Sequence, residues 1–169
     1  MRMAFSRILA AAALAAALAL PATAGAAPRG AGAKATASLN AAAAVGERFW
    51  GASPCAGHIR LVVQRSVPAG MSSDSDAWVA FDSPLGANNL DAPASSYSNC
   101  VLAIARWTTA ASMRSDWGMF CTTMTHELGH LLGNEHDLAA GSVIAPVFEG
   151  RSSVTQDCRA SRPARSTRR

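Results

Sequence analysis

The segment THELGHLLGNEHD, Thr125 to Asp137, holds three of the four histidines in the chain. His126 and His130 are four residues apart, so on a helix they project from one face, about 40° apart and about one turn along the axis. His136 cannot meet them on the same helix, because it would lie about 15 Å further along the axis than His126. The three imidazoles can converge only if the helix stops after His130. Gly133 is the residue able to stop it, since a glycine just beyond a helix end adopts the left-handed conformation at little steric cost and turns the chain sharply. The chain is thereby committed to a helix ending at Gly133 and a return loop that carries His136 back toward it.

Two imidazoles at this spacing suit one zinc ion at about 2.0–2.1 Å, and a third leaves the fourth tetrahedral position open for water, as in catalytic rather than structural zinc sites. Glu127, beside the first of these histidines, is placed to take a proton from an attacking water and pass it to a leaving amine. H-E-x-x-H alone arises by chance in unrelated helices; here the ligand spacing, the helix breaker and the third histidine support one another. His58 has no neighbouring histidine in the sequence and is read as structural.

Arg2 and Arg7 precede an apolar run from Ile8 to Leu20, followed by Pro21 and the small-residue site Ala22, Thr23, Ala24. This is the pattern of a secretory signal peptide, residues 1–24, and the run is shorter than the ~20 residues a bilayer span requires. The expected product is secreted, with no membrane span. Residues 25–37, rich in Gly and Ala, read as a flexible linker or short pro-segment. Residues 38–158 read as one α+β domain, and 159–169 as a basic, disordered tail.

Setting aside the two signal arginines and five in the tail (Arg159, Arg162, Arg165, Arg168, Arg169) leaves eight Lys and Arg against eleven Asp and Glu. The net charge of +4 thus belongs to the tail, and the body is slightly acidic. With no aromatic residues among the tail arginines, nucleic acid is not an expected partner. A monomer is expected.

Ser38 to Trp50 is rich in strong helix formers, with Leu39, Ala42, Ala43, Gly46, Phe49 and Trp50 near helical spacing. His58–Gln64, Ala77–Phe81 and Cys100–Arg106 are short, rich in Val, Ile and Leu, and bounded by turn residues, which predicts strands. A long loop separates the second from the third. Asp116 is placed to cap a helix running to Leu132, with Phe120, Met124, Leu128, Leu131 and Leu132 as its apolar stripe. Four cysteines in an exported chain favour two disulfides. Of the three possible pairings, Cys55 with Cys100 and Cys121 with Cys158 is expected, because the second ties the tail segment to the histidine helix. Asp74, Asp76, Asp82 and Asp91 lie in or near loops, where acids can bind calcium; solvated loop acids are the simpler reading.

HELGHLLGNEH resembles the H-E-x-x-H-x-x-G-x-x-H signature of the metzincin zinc endopeptidases. The resemblance implies one zinc ion held by His126, His130 and His136, with Glu127 as general base. It also implies a two-subdomain α+β fold, a twisted, mostly parallel sheet packed on helices, with the active-site helix ending at Gly133. Metzincins place a Met in a tight turn beneath the metal; GSVIAPVFEG stands there, with Ile144 at the Met position. Ser142, Pro146 and Phe148 look like the matrixin branch, in which a Pro-x-Tyr segment walls the pocket for the side chain after the scissile bond, Phe148 replacing the Tyr. Asp137 looks like the acid with which the adamalysin branch supports its turn; a solvated loop acid is the alternative.

The resulting expectation is a secreted zinc endopeptidase acting on protein or peptide substrates. Two other classes compete with it: a catalytically silent binding module that keeps the fold, and a zinc amidase or exopeptidase acting on small molecules. Glu127 argues against the silent module, which would be free to lose the base while keeping the ligands.

Overall fold

The computed structural model describes residues 31–106, 115–146 and 154–161. The signal segment, Phe148 and the tail beyond Ser161 lie outside the described residues. Among the described residues, no helix is long and apolar enough to cross a membrane.

Helix α1 spans Ala31–Trp50. It begins at Ala31 rather than Ser38, because Ala31, Ala33, Ala35 and Ala37 carry the highest helix propensity and offset the cost of Gly32. Its buried face is Leu39, Ala42, Val45 and Gly46. Phe49 is left exposed, edge-on to Trp50.

Three strands follow: β1 (Arg60–Gln64), β2 (Ala77–Asp82) and β3 (Ser98–Ala105). Their order is β1-β3-β2, with β1 and β3 parallel and β2 and β3 antiparallel. The sheet is therefore mixed, not mostly parallel. β2 and β3 follow one another without a crossover helix between them, a connection that suits an antiparallel pair. β3 is central and buried on both faces, which explains its unbroken apolar run. Leu102 and Ile104 face the helices, whereas Ala103 and Ala105 pack with Trp78 on the far side.

Helix α2, Trp117–Leu131, lies against α1 and the sheet. Asp116 caps it, the carboxylate accepting from the Met119 N–H at 3.3 Å. Phe120, Met124, Leu128 and Leu131 are buried as the stripe predicts, and Leu132 is half-buried just past the helix end.

Both disulfides pair as the sequence leads one to expect, Cys55–Cys100 and Cys121–Cys158. Cys158 lies on α3, Gln156–Ala160, whose Thr155 cap accepts from the Cys158 N–H at 3.2 Å. Arg159, at the start of the segment read as a tail, is part of this helix, and its Nε donates to the Val154 carbonyl at 3.1 Å. The result is a small α+β body in which Cys121–Cys158 fastens α3 to α2.

Candidate metal centre and cleft

Two glycines let α1 and α2 approach closely. A Cβ built on Gly46 would stand 2.5 Å from Leu128 Cδ1, and one on Gly129 would stand 2.7 Å from Trp50 Cζ2 and 2.8 Å from Ile144 Cδ1. The Trp50 indole N–H donates to the Thr125 carbonyl at 2.8 Å. Thr125 precedes His126, so the end of α1 is fastened to the turn of α2 that presents the histidines.

α2 ends as the sequence requires. Gly133 takes φ +84°, its N–H donates to the His130 carbonyl at 3.0 Å, and the Asn134 N–H donates to the Gly129 carbonyl at 3.0 Å. This pair of bonds is a Schellman motif. The Asn134 side chain adds a second donor to Gly129, its Nδ2 lying 3.0 Å from that carbonyl. The chain then returns, and one potential ligand atom from each of His126, His130 and His136 lies within 4.8 Å of the others.

The ring nitrogens are sorted by their partners. His126 Nδ1 lies 2.9 Å from the Val143 carbonyl and His130 Nδ1 lies 2.8 Å from the Asn134 carbonyl. A carbonyl can only accept, so both Nδ1 atoms carry the proton. That leaves the two Nε2 atoms, 3.0 Å apart, with their lone pairs toward each other unless one ring is an imidazolium. Burial and the neighbouring imidazoles press against that state: desolvation lowers the His126 pKa to about 4, and desolvation likewise lowers that of His130. Two neutral acceptors this close call for a cation between them. The donor set, three imidazoles with two rings oriented by backbone carbonyls, fits zinc and the second shell that such ligands use; several other divalent transition metals also accept imidazole.

Glu127 lies beside this trio, 7% exposed. Desolvation raises its pKa to about 8, and a dication at the histidines pulls it back toward ionisation. Its carboxylate lines a cleft of about 1070 Å³ that also holds all three histidines. α2 forms one wall through Met119 and Thr123, and β2 forms the other through Ala77, Val79 and Phe81.

β2 is an edge strand. The Asp76 carbonyl accepts from the Ala105 N–H at 2.8 Å, so by strand alternation Ala77 and Val79 direct their N–H and C=O groups away from β3. At the far end the edge is closed by Asn88, whose Oδ1 and backbone N–H bind the Phe81 N–H and carbonyl at 2.8 and 2.9 Å.

Ile144 is 6% exposed and packs against Gly129, on the α2 turn between the two helical histidines. Ser142 holds its turn, the Ala145 N–H donating to the Ser142 carbonyl and the Ile144 N–H to the Ser142 hydroxyl. The Asp137 N–H donates to the Ile144 carbonyl at 3.2 Å, while the Asp137 carboxylate accepts from the Ala139 N–H at 2.9 Å. Exposed Asp137 thus braces the return loop locally. Pro146 is at the cleft rim. His58 is exposed and is not part of the trio.

Asp74, Asp76, Asp82 and Asp91 form no metal-binding group with one another among the described residues; the Asp82 carboxylate instead accepts from Asn99 Nδ2 at 2.7 Å. Sequence reasoning missed Asn134, Val143, Trp50 and Gly129. The first two act through main-chain carbonyls, which leave no mark on a sequence; Gly46 and Gly129, two small residues on facing helices, were the signal for the close helix contact. No protein-family model, curated protein or solved structure matches this chain.

Proposed function

We propose that the protein is a secreted zinc-dependent endopeptidase of the metzincin type. The observation that carries the reading is the convergence of His126, His130 and His136 beside a buried Glu127 on a cleft walled by a free strand edge.

His126, His130 and His136 would hold a zinc ion, which would supply Lewis-acid polarisation of the scissile carbonyl and of the attacking water. The remaining work belongs to the chain. The Val143 and Asn134 carbonyls hold the two rings with their Nε2 atoms toward each other, where a metal would be shared. The β2 edge at Ala77 and Val79 takes an extended peptide by main-chain hydrogen bonds, as in β-strand addition. Glu127 accepts the proton of the water as its oxygen bonds to the carbonyl carbon, then delivers that proton to the amine nitrogen as the C–N bond breaks. The charges and atoms balance: one water is consumed, and one acid and one amine are produced.

An open cleft beside a strand edge favours a peptide chain over a small amide. Burial of Ile144, an apolar side chain at the position of the family's Met, supports an active rather than a silent protein. The test is casein hydrolysis by the mature protein with and without a zinc chelator, joined to cleavage of an internally quenched peptide blocked at both ends. Chelator-sensitive cleavage of both is expected. A metal-loaded protein that cuts neither would refute the reading.

A further inference from the structure

Among the described residues, the charged side chains lining the cleft are Asp74, Asp76, Glu127 and Glu135, with no Lys or Arg. The body does contain arginines among its described residues, at Arg48, Arg60, Arg65, Arg106 and Arg159, and all lie elsewhere. Near Glu135 a dication at the adjacent His136 would offset the acidic field. At the other acidic edge, the loop leading into β2, no cleft-lining cation among the described residues does so. There Asp76 is already engaged within the protein. Asp74 is exposed, and the Ser72 hydroxyl donates to its carboxylate, holding it below the ordinary range and ionised.

Met71 lines the same rim with 42% of its surface exposed. Two turns fix this loop, the Met71 N–H donating to the Pro68 carbonyl at 3.3 Å and the Ser75 N–H to the Ser72 carbonyl at 3.1 Å. An apolar thioether and a carboxylate three residues apart at the mouth of a cleft match a side chain with an aliphatic stem and a cationic head. The loop also continues directly into Ala77 and Val79, so a peptide lying along the strand edge passes it. Glu127, buried beside the three histidines, opens on the same cleft.

From these observations we infer that the Met71–Asp76 loop is a subsite for a lysine or arginine side chain of an extended peptide, Asp74 receiving the cationic head and Met71 the stem. This rests on the endopeptidase reading for the chemistry that follows, although binding at the subsite can be measured without it.

The probe is a pair of end-blocked, fluorescent Ala-Ser peptides that differ only in arginine against citrulline, its neutral isostere, the position being scanned along the chain. Binding is measured to zinc-loaded Glu127→Gln by fluorescence polarisation. At one position the arginine peptide should bind about fivefold more tightly at low salt, a preference that shrinks at high salt and disappears in Asp74→Asn. Met71→Ser should weaken the arginine and citrulline peptides together, since both keep the stem. Equal affinities at every position, failure of both peptides to bind, or a preference that survives Asp74→Asn would overturn the subsite. Adding both peptides to the parent protein separates the two failures: a bound arginine peptide left uncut refutes the peptidase alone, and equal kcat/KM for the two peptides refutes the subsite alone.

Discussion

Gly129→Ala sets two known effects against each other. In an exposed helix the change would stabilise by about 1 kcal/mol, the propensity difference between the two residues. Here the new methyl would meet Trp50 Cζ2 at 2.7 Å and Ile144 Cδ1 at 2.8 Å, where ordinary contacts begin at 3.4 Å. Neither neighbour gives way cheaply. The indole is tethered by its N–H to the Thr125 carbonyl, and Ile144 is buried and stiff at its branched carbon. Inserting a methyl into such a site costs about 1–3 kcal/mol, and weakening the indole bond adds about 1 kcal/mol. The balance is a net loss of about 1–3 kcal/mol, or roughly 3–15 °C in Tm for a domain of this size. Thermal and urea unfolding of parent and variant, each without metal, measure it. Ile144→Val removes Cδ1, so the double variant should lose less than the sum of the single changes. A Gly129→Ala protein as stable as the parent, or strict additivity in the double variant, would refute the close packing of α1, α2 and the Ile144 turn.

The other predictions address the chemistry. Glu127→Ala should retain zinc and fold while losing about 10²–10⁴ in turnover, as measured by metal analysis and quenched-peptide cleavage. His136→Ala should weaken zinc binding in a competition titration; an unchanged affinity would show that the return loop does not deliver a ligand. Ile144→Met should alter activity by less than about tenfold and shift Tm only slightly, because the two side chains are similar in volume. Stability of the metal-free protein should depend on pH through Glu127, whose pKa rises from 4.5 unfolded to about 8 folded. The folded state then holds a proton the unfolded state lacks, so this contribution is complete below pH 4.5 and is lost as pH rises through 8. His126 has the opposite sign, its folded pKa of about 4 removing stability as pH falls below 6.5. Urea unfolding should therefore find less stability at pH 8 than at pH 6.5, a difference that Glu127→Gln abolishes.

The parts of the fold legible in the sequence are those where a local rule and a distant requirement coincide. Gly133 was readable because a helix carrying His126 and His130 had to stop for His136 to matter, and its φ of +84° meets that need. The cysteine pairing was readable because Cys121 sits on that helix. The antiparallel pairing of β2 was only partly legible: a long loop without a crossover helix before β3 suits it, but strand composition says nothing of direction. The burial of Val45 in place of Phe49 follows from the approach of the two helices at Gly46, a contact whose position only the packed structure defines.

The carbonyls that orient His126 and His130 belong to Val143 and Asn134, and a main-chain oxygen persists through any substitution at its own residue. The layer of the site immediately behind the ligands is thus written in backbone torsion rather than in side-chain identity. A saturation scan should show broad tolerance at position 143 to apolar replacements, with intolerance displaced onto Gly133 and Gly141, whose φ of +84° and +78° set the two turns. A site built this way can keep its geometry while the letters around it drift, leaving the histidines, the glutamate and a few glycines as the only durable trace of its chemistry.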